Sequence, residues 1–356
     1  MAFTEECKKQ RLNLSAAAAE VVKNDMFAFG EEKYSTFINR VFRNYRDDAD
    51  ASIALRLDAY RETISAILCG EKDVNAWKRM TEKLVAAERK RLIKKSGAYD
   101  KGESSVFWID TENFGYLTGE CCEEKYYPYQ DGARPKKGLY IKSVIEEYAR
   151  LPFIKREEIF FAETVKEIKS AINGKRQLLI KDDRGELYDV SPYKILSDPL
   201  ATANYLVGYS SRRDTKEPEE TEERRPCSFR IAAVKSAKIE KSKSASLGRD
   251  AKRELEEKIA SRGVQFMIGE EDEITVRLTE EGVRKYKRLV HLRPQFIQEE
   301  RDGVYSFKCT ETQVKFYFFK FGKDAEIISP ETLRKKFLDM YKEAAEVYEH
   351  AQAKGV

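Results

Sequence analysis

Apolar and polar residues change their spacing several times along the chain, and each change marks an element. Residues 9–14, KQRLNL, alternate polar and apolar as a half-buried strand does. Ser15 then offers a hydroxyl cap to a helix through SAAAAEVVKNDMFAF, which Gly30 closes. Ser35 is the expected cap of a second helix, in which Phe37, Ile38, Val41, Phe42 and Tyr45 share one apolar face. Helical spacing continues over 51–97, gives way to a loop-rich stretch over 98–137, and returns in YIKSVIEEYARLPFIKREEIFF and ETVKEIKSAI. Four strands are then expected in KRQLLIKD, GELYDVSPYKIL, NYLVGYS and PCSFRIAAVKSAKI, with the long charged connection SSRRDTKEPEETEERRP before the last. Short strands of this kind after a helix predict a small, strongly bent barrel.

Composition narrows the class. The chain has 356 residues, 41% of them apolar, enough for two or three domains with ordinary cores. The 66 basic and 62 acidic side chains leave a net charge of only +4, so any preference for nucleic acid has to come from local clustering. Six cysteines without a CxxC and two histidines indicate neither a disulfide scaffold nor a zinc site, and no cofactor is expected. The start, MAFTEECKKQ, lacks the apolar centre of a signal peptide, and no run of eighteen apolar residues occurs. A cytoplasmic protein is expected.

Two basic clusters stand out. Residues 72–97 hold nine basic against three acidic side chains, and Lys78, Arg79, Arg89, Lys90, Arg91, Lys94 and Lys95 are candidates for contact with phosphates. Within the strands, Tyr193, Tyr205 and Tyr209 are candidates to stack on unpaired bases, with Lys194, Arg212, Arg213, Arg225 and Arg230 holding the backbone.

The strand, helix, glycine turn and helix at the N-terminus resemble the ribbon-helix-helix module, whose strand pairs with its copy in a second subunit. The resemblance implies that Leu12 and Leu14 face the dimer core while Lys9, Arg11 and Asn13 point outward, where the family reads DNA. Eight basic against nine acidic side chains over residues 1–50 make duplex binding weak and favour dimerisation as the module's task.

PYKIL, NYLVGY and SFRI, in that order, resemble the WYL domain, an Sm-like barrel, with Asn204-Tyr205-Leu206 at its name-giving position. EITVRLTEEGVRKY and FFKFGKDAEIISPETLRKKFLDMYKEAAEVY resemble the C-terminal extension of WYL proteins. The family implies a ligand or nucleic-acid pocket lined by Tyr193, Tyr205 and Arg230. Ala232 and Ala233 replace the usual Asp-Arg pair and Asn204 the usual tryptophan, which favours an extended binding surface over a pocket for a small anion.

The expected architecture is α+β. It comprises a ribbon-helix-helix dimerisation domain at 1–50, a helical linker region at 51–164, a WYL barrel at 165–262 and an α/β extension at 263–356. Taken whole, the chain resembles the WYL accessory proteins of type VI-D CRISPR systems, which implies a homodimer that binds single-stranded RNA and stimulates an RNA-guided ribonuclease effector. The alternative is a DNA-binding transcriptional regulator in which the ribbon reads an operator and the barrel senses a ligand. No GxG or GxxxxGK occurs, and no catalysis is expected. Arg284 and His291 match a spacing seen in helical ribonucleases, yet a second histidine to serve as base is not nearby. The acidic pairs Glu146-Glu147 and Glu270-Glu271 read as solvated helix faces.

Overall fold

The computed structural model describes residues 9–68, 74–94, 104–119, 130–131, 134–135, 137–198, 200, 202–213, 224–267 and 272–353. Helices and antiparallel sheets are mixed, as an α+β chain requires, and the contacts divide it at 162/163 into two units.

The first unit is built on a two-stranded ribbon. Strand β1 (Lys9–Asn13) pairs antiparallel with β2 (Ser104–Trp108), from Lys9 opposite Trp108 to Asn13 opposite Ser104. The period-two pattern holds, with Lys9, Arg11 and Asn13 exposed and Leu12 buried. Ser15 caps helix α1 (Ala16–Phe29) by accepting from the Ala18 amide, and Gly30 ends it in the left-handed conformation at φ 67°. Helix α2 (Tyr34–Leu68) runs unbroken for 35 residues and is followed by α3 (Val74–Lys94), the short α4 (Thr111–Thr118), α5 (Lys137–Ala149) and α6 (Phe153–Phe160). Between α4 and α5, β3 (Gln130–Asp131) and β4 (Arg134–Pro135) form a two-residue ladder.

Ribbon and helices share one core. Phe29 and Phe37 stack on Phe160 with centroids 5.1 and 5.0 Å apart, and Phe107, Tyr140 and Tyr148 join them. Ring pairs of this kind contribute about 0.5–1.5 kcal/mol each beyond the area they bury. The expectation that Leu12 and Leu14 face a dimer core is corrected here: they are 0% and 2% exposed within a single chain. The core they join also holds Phe107 of β2 and Tyr140, Ile141, Val144, Ile145 and Tyr148 of α5, so the first fifty residues share a core with later segments.

Glu146 and Glu147 also depart from expectation, being buried at 8% and 6% exposure. A buried carboxylate is tolerated only when its oxygens are satisfied. Glu146 accepts from the Ser15 amide at 2.7 Å and the Ser15 hydroxyl at 2.8 Å, at the positive end of α1. Glu147 pairs with Arg56 at 2.5 Å and Arg150 at 2.6 Å. Nearby, buried Asp25 takes the Tyr148 hydroxyl at 2.7 Å and Arg156 at 2.6 Å. Ser35 does not cap α2, which begins at Tyr34; its hydroxyl accepts from the Trp108 amide instead.

The second unit opens with α7 (Ala162–Gly174) and a five-stranded sheet of β5 (Arg176–Asp182), β6 (Leu187–Ser197), β7 (Asn204–Arg212), β8 (Arg225–Arg230) and β9 (Val234–Ser244). The order is β8-β7-β6-β5-β9, all antiparallel. Five strands form where four were expected, because a 3-10 turn over Ile231–Ala233 divides the last run and sends the chain from one edge of the sheet to the other. Among the described residues no ladder joins β8 to β9, so the expected closed barrel is an open sheet. Bulges bend it. At the bulge between Pro192 and Lys194 the β6 backbone crowds Gly208, where a Cβ would lie 2.3 Å from the Ser191 carbonyl oxygen. Helix α8 (Arg249–Arg262) then packs across this sheet through Leu255 and Ile259.

A second sheet of β10 (Asp272–Leu278), β11 (Gln295–Glu299), β12 (Val304–Cys309) and β13 (Ala325–Ser329) has the order β11-β12-β10-β13. Helices α9 (Glu280–Arg288), α10 (Glu311–Phe318) and α11 (Glu331–Ala353) accompany it, around Phe307, Tyr317, Phe318 and Phe321. Among the described residues no helix is long and apolar enough to cross a membrane, and no cluster of His, Cys, Asp and Glu could hold a metal ion.

Candidate nucleic-acid surfaces

Strand pairing brings the predicted tyrosines onto one face. Tyr205, Val207 and Tyr209 alternate along β7, opposite Arg230, Ser228 and Pro226 of β8, and Tyr193 joins them from the bulge of β6. Tyr205 and Arg230 are therefore direct cross-strand neighbours. Asn204 is buried one residue earlier, where it accepts the Ser197 hydroxyl at 2.9 Å, and contributes nothing to that face.

The tyrosine rings are not the open platforms expected. All three are half-buried against α8, in a cluster with Val207, Leu255 and Ile259. Two carboxylates of that helix hold the sheet's polar tips. Tyr193 donates to Glu256 at 2.6 Å, Lys194 reaches the same carboxylate at 2.7 Å, and Tyr209 donates to Glu254. The bond to Glu256 raises the Tyr193 phenol above its ordinary range; burial and then Glu254 do the same for Tyr209. In return Glu256 is lowered by Lys194 and Tyr193, and Glu254 by Lys258 and Tyr209.

The predicted cations divide into paired and free groups. Arg212 pairs with Glu186 at 2.6 Å, and Arg213 with Asp189 at 2.5 Å and Glu240 at 3.2 Å. Arg225 and Arg230 are exposed on the edge strand β8, with no carboxylate partner among the described residues. They are five residues apart on one strand and so project to opposite faces, Arg230 alone on the tyrosine side.

In the first unit, α3 packs by Val85 and Leu92 against Ile53, Leu57 and Tyr60 of α2. Lys78, Arg79 and Arg89 are exposed; Lys78 sits 6.0 Å over the Trp77 ring, and Arg79 donates to the Asn75 carbonyl at 3.3 Å. Arg91 is taken by Glu88 through two bonds of 2.6 Å. Lys90 and Lys94 lie outside the residues whose side chains are described, and Lys95, like Glu270 and Glu271, lies outside the described residues altogether.

On the ribbon, Lys9, Arg11 and Asn13 face outward as predicted, and β2 adds Val106 and Trp108 to the same face, 47% and 48% exposed. Sequence reasoning missed both these residues and the carboxylates of α8. A signal was available for the first, since SSVFW ends in three strand-favouring side chains. Arg284 and His291 do not share a helix: α9 ends at Arg288, His291 lies in the turn beyond it, and Arg284 is bonded to Glu281 at 2.7 Å.

Residues 270–345 match the family model of the WCX domain, the WYL-associated segment, which covers the second sheet and most of α11. The fold of nearly the whole chain is similar to a solved structure described as "Crystal structure of a CRISPR Cas-related protein", with a TM-score of 0.68, 22% identity, and coverage of 96% of this chain and 94% of that one. Proteasome accessory factor B/C (PafBC) of Arthrobacter aurescens aligns over 67% of this chain and 38% of its own, at 15% identity and a TM-score of 0.28, too distant to carry an argument. No curated protein matches the chain in sequence.

Proposed function

We propose that this protein is a non-enzymatic accessory protein of a CRISPR system, of the WYL type found with type VI-D effectors. In this reading it is a cytoplasmic homodimer that binds single-stranded RNA and stimulates the RNA-guided ribonuclease. The observation that carries the reading is the likeness in fold to a CRISPR Cas-related protein across 96% of the chain, together with a WCX domain at its C-terminal end. Free cations support it: Arg230 beside Tyr205 on one unit, and Lys78 and Arg89 on α3 of the other, offer phosphate contacts without a competing carboxylate among the described residues. Dimer formation does not depend on burying Leu12 and Leu14, which one chain already covers, and light scattering on the purified protein measures it directly.

The test is a side-by-side titration of single-stranded RNA and duplex DNA at several salt concentrations. Tighter RNA binding with a steep loss on added salt is expected. Adding the protein to a guide-loaded ribonuclease should then raise its rate of RNA cleavage. A preference for duplex DNA, with Arg11 and Asn13 essential, would instead identify a DNA-binding regulator.

A further inference from the structure

We propose that the outer face of the β1–β2 ribbon is a second binding site for unpaired nucleotides, in which Trp108 stacks on a base and Lys9 and Arg11 hold the adjoining phosphates. The proposal rests on the RNA-binding reading and places a contact in the first unit, apart from the tyrosine sheet.

The ribbon is a prepared surface. Six side chains point outward: Lys9, Arg11 and Asn13 from β1, and Ser104, Val106 and Trp108 from β2. None is acidic, two are cations, and Arg11 has no carboxylate partner among the described residues. A pair of cations on a face that is otherwise neutral among the described residues complements a polyanion. Opposite Lys9 the face carries a large aromatic ring with almost half its surface in water. Lys9 lies 5.9 Å over that ring, so a base stacking on the indole would have an ammonium group beside it.

The backbone that carries the indole is fixed from beneath. The Trp108 amide donates to the Ser35 hydroxyl at 3.2 Å, and its carbonyl accepts from the Asn39 side-chain amide at 2.7 Å. Asn39 is itself buried and tied to Ser35, Asp110 and Asn113. Because the backbone of Trp108 is fixed to α2 before any ligand arrives, little ordering remains to oppose binding. The unpaired strand is preferred to a duplex because a duplex groove exposes base edges, which a flat ring cannot stack on.

The chain has two tryptophans, so a Trp77→Phe variant leaves Trp108 as the sole indole reporter. Titrating this variant with a short oligouridylate should quench its fluorescence to saturation. Trp108→Ala should weaken binding about five- to 150-fold, and Trp108→Phe should restore most of the loss. A Lys9→Glu, Arg11→Glu pair, both exposed, should weaken binding and flatten its salt dependence. RNA binding with unchanged Trp108 fluorescence, or undiminished affinity in Trp108→Ala, would overturn this site and leave the general reading standing. Stronger quenching by duplex DNA than by RNA would also overturn it, in favour of groove reading. Failure of the wild-type protein to bind RNA at any salt concentration would remove both.

Discussion

The Tyr193 hydroxyl donates a hydrogen bond to Glu256 at 2.6 Å while Lys194, the next residue, holds the same carboxylate at 2.7 Å. With Tyr209 on Glu254, this fastens α8 over the face that was expected to meet RNA. On that face the two carboxylates would repel the phosphates of a bound strand and compete with them for Lys194. A Glu254→Gln, Glu256→Gln double variant should therefore bind single-stranded RNA two- to fivefold more tightly, since exposed charge pairs are worth only about 0.2–1 kcal/mol each. Equal or weaker binding would mean that α8 does not compete for that face.

Arg230 stands beside Tyr205 with no carboxylate partner among the described residues. Arg230→Ala should weaken RNA binding and make the slope of log affinity against log salt shallower by about 0.7, the amount one lost phosphate contact removes on a single strand. Tyr205→Ala should weaken binding with no change in slope. Identical slopes in both variants would exclude the division of labour between ring and guanidinium.

The close approach of β6 to β7 leaves no room for a side chain at Gly208. Gly208→Ala forces the methyl group against the Ser191 carbonyl, so the Pro192–Lys194 bulge has to shift, at a cost of about 1–3 kcal/mol. Calorimetry should show a melting transition lower by several degrees. An unchanged transition would show that the two strands separate freely at this point.

Acid should loosen the C-terminal sheet and its helices. Glu311 is held below its ordinary range by Lys315 and then Lys336, and Asp324 by Lys285 and then Thr279. A carboxyl lowered by folding stabilises the fold only while ionised, so this contribution is complete above the ordinary carboxylate range. It disappears as pH falls through that range and below it, under about pH 4. Asp324→Asn should reduce stability at neutral pH and flatten the acid limb of the curve. A steeper limb in the variant would contradict the assignment.

Cys227 is buried in β7–β8 contact, and burial pushes its thiol up to about 12. A thiolate is therefore scarce at pH 8, and alkylating reagents should modify Cys227 only when the sheet unfolds. Peptide mapping after labelling with and without denaturant measures this directly.

Local pattern carried much of this structure. The alternation in KQRLNL, the Ser15 cap, the Gly30 stop and the strands around Tyr193 and Tyr205 depend on neighbours within a few residues, and all were legible. Strand β2 was only faintly so: three strand-favouring side chains in a loop-rich stretch become a strand only when β1, far back in the sequence, pairs with them. Glu146 and Glu147 looked solvated since charge alone argues for exposure; the groups that satisfy them, Ser15 and Arg56, come from other segments. Helix α8 has too few apolar residues to advertise a buried face, so its seat on the tyrosines could not be read from RDAKRELEEKIASR.

The bond from Ser15 to Glu146 spans 131 residues of chain. During synthesis the ribbon's first strand leaves the ribosome long before the helix that will receive it, and must wait, with two leucines uncovered, until α5 has followed. That strand is thus made well before α5 and settles only with it, and it is a stretch that a holding chaperone would protect in the meantime.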